Sequence, residues 1–155
     1  MLLIAAPIRK PTMGYDFAFV RLDPRPDRFP FFPSSGFSGK LKPFQNPASL
    51  EQCLLESAAF RLNGMPVDGL RRLRWETPDG GRLDVVVSVD WIDIDTHAHW
   101  RFVRDVYDLL RPLQPDLLLA DKQTSTLYDA DAFQALIVDN DRRKSSPSPG
   151  ASSRG

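Results

Sequence analysis

The spacing of apolar residues predicts the first two elements of the chain. From Tyr15 to Leu22 aromatic and aliphatic residues alternate with polar or small ones, which is the period of a β-strand. After Asn46 the apolar residues return every three or four positions, the period of a helix. Asn46 before Pro47 is typical of a helix start, and Gly64 is typical of a helix end. We therefore expect a strand followed by a long helix.

A β-hairpin is predicted in the middle of the chain. Two β-rich runs, Leu70 to Thr77 and Arg82 to Ile94, flank a Pro-Asp-Gly-Gly turn at 78–81. The second run carries apolar residues on both of its faces, as a strand covered on both sides does. We expect that run to be one long central strand.

The strongest helical period of the chain follows this hairpin. Apolar residues recur at helical spacing from Trp100 to Leu113, with Asp95 or Thr96 as the expected cap. Short strands are then predicted at 116–120 and 126–128. Asp129 or Asp131 is expected to cap a last helix, which carries its apolar residues at 133, 136 and 137.

The order of these elements predicts the fold class. The sequence β-α-β-β-α-β, followed by a small strand and helix, is typical of an α+β ferredoxin-like sandwich. In that architecture an antiparallel sheet carries both helices on one face. A chain of 155 residues is long enough for one such domain and too short for two.

Segment composition divides the chain further. Residues 1–12 lack a clear period and precede Met13, so they are expected to be an N-terminal extension, upstream of the true start if translation begins at Met13. Residues 13–139 form the predicted domain, and the polar residues 140–155 form a predicted disordered tail. Residues 23–46 are expected to be an irregular arm. It holds five prolines and the phenylalanines Phe29, Phe31, Phe32, Phe37 and Phe44.

The aromatic residues of the arm leave two interpretations open. They favour a binding surface, because aromatic side chains contribute much of the energy of protein interfaces. They equally favour a cover over an open sheet face or over one end of the core. Both roles are compatible in one arm.

The composition of the chain limits the classes of partner that we expect it to bind. Twenty basic and twenty acidic residues give zero formal charge, so nothing global attracts nucleic acid or anionic lipid. The second half is nevertheless acidic, with four basic against ten acidic residues in 83–138. No apolar run approaches the ~18 residues of a membrane span, and Cys53 is the single cysteine. We expect a soluble cytoplasmic protein.

One cluster of residues resembles a metal site in composition. Asp90, Asp93, Asp95, His97 and His99 lie within ten consecutive positions. In an extended strand the residues at 93, 95, 97 and 99 would share one face and offer ligands for zinc, iron or manganese. If a helix begins at 96, the two histidines lie roughly 200° apart around its axis and the aspartates only favour its N-terminus. The helical alternative is preferred, so no metal and no cofactor are expected.

RNA binding by the sheet is not expected. The central strand candidates carry Asp84, Asp90 and Asp93 in place of the basic and aromatic residues of RNA-recognition sheets. The cluster Arg71, Arg72 and Arg74 is explained by the charge protection of an edge strand.

The chain resembles small bacterial immunity proteins, the cognate inhibitors of polymorphic or secretion-delivered toxins. The resemblance lies in its size, its acidic second half, and a strand and long helix followed by an Asp-x-Gln turn ending in Tyr-Asp. In this sequence those residues are Asp121, Gln123, Tyr128 and Asp129. It covers about residues 15–138 at the level of the class.

The resemblance implies a non-catalytic protein that occludes the active site of a toxin or effector. Acidic loops in that class often meet a basic, nuclease-like surface. One rival is a small metal-dependent enzyme that uses Asp93, Asp95, His97 and His99, and another is an accessory subunit that buries its arm in a permanent complex. For the immunity interpretation the candidate partner-binding residues are Asp90, Asp93, Asp95, Asp121, Asp129, Asp131, Phe31 and Phe32.

Overall fold

A computed structural model describes residues 14–33, 40–57, 61–67 and 70–145. The extension at 1–12 and the end of the predicted tail, 146–155, lie outside the described residues, as does Phe37. Side chains are described from Arg72 onward in the region that follows the first helix. The elements, in chain order, are β1 Tyr15–Val20, α1 Pro47–Leu55, β2 Arg61–Val67, β3 Leu70–Glu76, β4 Arg82–Val87, β5 Ile92–Thr96, α2 Trp100–Leu110, β6 Leu118–Asp121, β7 Thr126–Tyr128 and α3 Ala130–Ser145.

The strands form one antiparallel sheet in the order β2-β3-β4-β5-β1-β6-β7. The predicted α+β class with an antiparallel sheet is therefore confirmed. The sheet has seven strands, more than the sequence predicts, and β1 lies between β5 and β6.

The long helix predicted up to Gly64 is wrong in its second half. α1 ends at Leu55, and 61–67 form the edge strand β2, paired along its length with β3. Apolar spacing over few residues fits either element, and pairing with a neighbouring strand satisfies the backbone here. Because β2 occupies the edge, β3 is an inner strand, and the edge-strand explanation of its arginines is wrong.

The single long strand predicted at 82–94 is also wrong, because it folds back on itself. β4 and β5 pair as a hairpin that joins Val87 to Ile92, and the backbone N–H of Ser88 donates to the carbonyl of Trp91 at 2.8 Å. This turn contains neither glycine nor proline, the strongest turn signals, and only Ser88 and Asp90 mark it in the sequence. The second strand is therefore two antiparallel strands.

All three helices pack on one face of the sheet and enclose the main core. α1 contributes Leu50 and Leu54, α2 contributes its apolar stripe, and α3 contributes Phe133 and Ile137. The largest side chain of this core, Trp75 of β3, is fully buried. Fully burying a large apolar side chain contributes ~1.5–3 kcal/mol relative to leaving it exposed. Because the largest fully buried side chains all belong to this core, it supplies most of the apolar stabilisation.

The arm covers part of the opposite face. A smaller apolar cluster there joins β1, β6 and β7 and packs against Phe29, Leu41 and Trp91. Isolated bridges pair Leu22 with Leu41, and Phe31 with a residue of β7. The described parts of the predicted arm, 23–33 and 40–46, thus lie over one end of the sheet, whereas the outer face of β3, β4 and β5 is mostly polar.

A half-buried ion pair ties the arm to the sheet. Arg21, which directly follows β1 and is 5% exposed, donates from Nε to Asp116 at 2.9 Å and from Nη1 to the carbonyl of Pro43. Lys42 lies 3.6 Å from the same carboxylate. Burial opposes ionisation of Asp116, but the hydrogen bond and charge of Arg21 outweigh it and lower the pKa of the carboxyl.

Both later helices differ in their ends from the sequence prediction. α2 begins at Trp100 with His99 as its N-cap, later than the predicted caps at 95 and 96. α3 continues to Ser145, six residues past the predicted domain end at 139, so the start of the predicted disordered tail is helical. Within the described residues, no helix is both long enough and apolar enough to cross a membrane.

Candidate interaction surface

A row of carboxylates crosses the sheet face that the described helices and arm residues leave uncovered. The strand register places Asp16 of β1 opposite Asp95 of β5, and Asp95 opposite Asp84 of β4. Arg74 of β3 ends the row, opposite Asp84. Three acidic side chains on three neighbouring strands thus face the same way. Like charges directly opposite each other destabilise a sheet, so this arrangement has a cost for folding.

The carboxylates of this row differ in how far nearby basic side chains compensate their negative charge. Arg74 Nε donates to Asp84 at 2.8 Å, and Arg82 lies 3.6 Å from the same group. Among the residues that the structure describes, Asp16 has no basic nitrogen within 4.0 Å. Asp84 is buried and two arginines compensate its charge, so the least compensated charge of the row among the described residues lies on Asp16 of β1.

Asp93 lies one step along β5 from this row and points to the same face. Lys122, from the loop after β6, reaches its carboxylate at 2.6 Å and also lies over the ring of Trp91, 5.7 Å from the centroid. The Asp93 side chain keeps 44% exposure. An exposed ion pair of this kind is worth at most about 1 kcal/mol, so a partner can rearrange it at little cost.

Asp95 pairs with a histidine of the loop before α2. His97 Nε2 lies 3.6 Å from the Asp95 carboxylate, which is 46% exposed. Gly14 packs closely on the ring, since a Cβ there would lie 2.8 Å from its Cε1 atom. The three aspartates of the predicted cluster are thus all partly exposed, Asp93 and Asp95 on β5 and Asp90 in the β4–β5 turn.

The two histidines do not converge on one site. His99 Nδ1 accepts from the backbone N–H of Arg101 at 3.0 Å, so the other ring nitrogen donates to Asp141 of α3 at 2.6 Å. Both nitrogens of His99 are thereby used to start α2 and to hold α3. The described part of the chain contains no group of three His, Cys, Asp or Glu residues able to hold a metal ion.

Three other acidic candidates lie outside the sheet face that carries Asp93 and Asp95. Asp121, the last residue of β6, is 2% exposed and accepts hydrogen bonds from Tyr15 and from the backbone of the following turn. Asp129 caps α3 by accepting from the N–H of Ala132 at 2.9 Å. Asp131, in the first turn of α3, is exposed. The structure does not bring these residues to the face of Asp93 and Asp95.

The phenylalanines of the arm divide between core and surface. Phe44 is 4% exposed within the main core, and Phe29 packs on the smaller cluster. Phe31 exchanges two backbone hydrogen bonds with Leu127, while its side chain is 38% exposed and that of Phe32 is 67% exposed. One arm therefore covers the core and presents aromatic surface.

Sequence reasoning missed a pocket on the helix side of the sheet. It measures about 270 Å³ and lies where β1 and β7 meet α2 and α3. Four aromatic residues from four separate segments line it together with Asp121, and no local motif links them. The aromatic residues are Tyr15, Phe32, Trp100 and Tyr128.

Comparisons with protein-family models, with curated proteins and with solved structures found no match for this chain.

Proposed function

We propose that this protein is a non-catalytic binding protein of the immunity type, which inhibits a cognate toxin or effector in the cytoplasm by occluding its active site. The observation that carries the proposal is the acidic surface on the sheet face that the described helices and arm leave open. It is formed by Asp16 and Asp95 of the carboxylate row and by the neighbouring Asp93. A rigid sheet presents these carboxylates together, and their natural complement is a basic surface.

The energetics of the row support this assignment. Opposed carboxylates on neighbouring strands cost stability in the free protein, and a cationic partner would relieve that repulsion on binding. A field of one sign also steers an oppositely charged partner and speeds its association. The basic substrate-binding surface of a nuclease-like toxin has the required charge. Asp93 and Asp95 are the residues expected to contact it.

The ferredoxin-like arrangement is part of the proposal. Its support is the order β6-β1-β5-β4 at the centre of the sheet, in which α2 links β5 to β6 across β1. We assign β2 with β3, and β7 with α3, as extensions at the two ends of this unit. The acidic row then lies on the face that the helices of a ferredoxin-like sandwich leave open.

Charge reversal on the sheet face tests the function. The partner is first identified by affinity capture from the native cells with mass spectrometry, and the affinity of the purified pair is then measured. We expect the double variant Asp93→Lys and Asp95→Lys to bind at least about tenfold more weakly, with an unchanged circular dichroism spectrum. We also expect wild-type binding to weaken as salt is raised.

A matched control distinguishes an effect of this sheet face on binding from an effect of the net charge of the protein. Glu51→Lys with Glu56→Lys makes the same change of charge on α1 and its C-cap residue, on the opposite side of the sheet. We expect this variant to bind like the wild type. Equal loss in both variants, or unchanged affinity in the sheet variant, would contradict the assigned surface. A stoichiometric transition metal in the purified protein, without any captured partner, would favour the enzyme alternative instead.

A further inference from the structure

The aromatic pocket contains a buried carboxylate, Asp121, for which the described residues supply no cationic partner. Asp121 accepts from the Tyr15 hydroxyl at 2.8 Å and from the N–H groups of Gln123 and Thr124 at 2.9 and 3.2 Å. All three donors are neutral, and within the described ranges no Lys or Arg nitrogen lies within 4.0 Å of Asp121. Buried charges in proteins are usually paired, so this carboxylate is exceptional.

The carboxylate keeps capacity for one further donor. An ionised carboxylate offers about four acceptor positions, and the turn and Tyr15 occupy three of them. Arg143 lines the same pocket, but it pairs with Asp139 on its own helix and its side chain is 73% exposed. The negative charge therefore remains available from inside the pocket.

The tyrosines of the pocket add no second negative charge. Burial raises the pKa of Tyr15, and its hydrogen bond to Asp121 and the charge of that carboxylate raise it further. Burial and the charge of Asp121 also raise the pKa of Tyr128, against a smaller opposing effect of Thr126. Both rings stay protonated at neutral pH, so Asp121 is the one negative group among the residues that line the pocket, beside the positive Arg143.

The walls of the pocket suit a cation. Trp100 and Tyr15 are in contact, with ring centroids 4.8 Å apart, and Phe32 and Tyr128 supply further aromatic surface. The face of an aromatic ring attracts cations, by about 0.5–2 kcal/mol for each well-placed contact. The volume, about 270 Å³, falls below the ~300–1,000 Å³ of typical small-molecule sites and fits a single long side chain.

We propose that this pocket, lined by Tyr15, Phe32, Trp100, Tyr128 and Asp121, receives an arginine or lysine side chain of the protein partner. Its preference for an organic cation follows from the geometry alone, whereas the basic partner as the source of that cation rests on the proposed function. The inserted side chain donates one hydrogen bond to Asp121 and stacks its charged group on the rings.

A small probe tests the pocket without the partner. Nα-acetylarginine amide is titrated into the full-length protein, and the NMR signals of the Trp100 indole and the Tyr128 ring are followed. The matched neutral probe is Nα-acetylcitrulline amide, which has the same shape without the charge. We expect saturable millimolar binding of the arginine probe and about tenfold weaker binding of the citrulline probe. Equal binding of the two probes, or no saturable binding, would overturn the proposal.

Two variants of the protein show where the arginine probe binds. Asp121→Asn is expected to reduce arginine affinity about tenfold and to leave citrulline affinity unchanged. If that variant does not fold, the comparison of the two probes on wild-type protein remains decisive. The sheet variant Asp93→Lys with Asp95→Lys is expected to bind the probe like the wild type. Loss of probe binding in the sheet variant would place the probe on the acidic row and overturn the pocket.

Two results identify a different occupant. If the probe binds only after residues 1–12 are deleted, the pocket is filled by the chain's own basic N-terminal segment, and the partner proposal fails. If native mass spectrometry of the purified protein shows a retained small organic cation, the source is a metabolite, and the partner proposal fails as well. Binding of the arginine probe by the wild-type protein, together with an affinity capture that recovers no protein partner, would refute the proposed function and leave the preference of the pocket for an organic cation standing.

Discussion

At the scale of single residues, the hydrogen-bonding partners of each histidine and aspartate set its role. His99 starts α2 and contacts α3, although the sequence suggested a ligand or a solvated helix end. Asp121, expected at an interface, is 2% exposed and holds the β6–β7 turn. Asp93 and Asp95, two positions apart on one strand, do share an exposed face as alternation predicts.

The capping role of His99 predicts a loss of stability on truncation. His99→Ala removes the acceptor for the Arg101 N–H and the bond to Asp141, so the free energy of unfolding should fall by about 0.5–2 kcal/mol. Urea denaturation followed by circular dichroism measures it. His99→Asn restores the cap without reaching Asp141, and should recover part of the loss. An alanine variant as stable as the wild type would refute the capping role.

At the scale of elements, the arm is held to the sheet by the ion pair between Arg21 and Asp116 more than by regular secondary structure. The pair connects the end of β1, the arm at Pro43 and the segment before β6. The same arm places Phe44 in the main core, with its N–H donating to the carbonyl of Val89 at 2.9 Å. A segment without regular elements is therefore fixed at several separate points.

Stability should depend on pH through Asp116. Its folded pKa lies below the ordinary value of about 3.9, so the ionised form stabilises the fold at neutral pH, and this contribution is lost as pH falls through the folded pKa. Asp116→Asn should be less stable than the wild type at neutral pH, with a difference that shrinks below about pH 4. Urea titrations across pH measure it, with Asp27→Asn as the control. A difference independent of pH would contradict this role.

Two phenylalanines of the arm should respond oppositely to truncation. Phe44→Ala empties a site in the main core and should cost about 3–5 kcal/mol of unfolding free energy. Phe32→Ala removes a ring that is 67% exposed and should change stability by no more than about 0.5 kcal/mol. Thermal and urea denaturation of both variants provide the measurement. Similar losses in the two variants would show that the arm does not divide between core and surface as described.

At the scale of the whole molecule, the two faces of the sheet are unequal. Three helices seal one face, while the arm covers only the β1, β6 and β7 end of the other. The remaining surface over β3, β4 and β5 carries charged residues, basic on β3 and acidic toward β1. Among the described residues this asymmetry leaves one charged sheet surface open, beside a pocket on the helix side that the arm borders through Phe32.

The sequence by itself determined the elements in which apolar side chains recur with a regular period, over several turns of a helix or along a strand. α2 and β1 were predicted at nearly their observed positions, because a buried stripe on a helix and a buried face on a strand each impose a period. The hairpin turn at 78–81 was predicted as well, and Gly80 has the positive φ of 85° that such turns demand. The two exposed carboxylates on β5 followed from the same alternation.

Only the tertiary structure decided which strands are neighbours, and with them the candidate sites. Residues 61–67 became strand because β3 offered a pairing edge, and 82–94 became two strands because a turn without glycine closed them into a hairpin. The opposed carboxylates of Asp16 and Asp95, and the rings around Asp121, come from segments far apart in the chain. Local spacing carries no information about such contacts, because pairing partners are chosen by the burial and hydrogen bonding of the whole sheet.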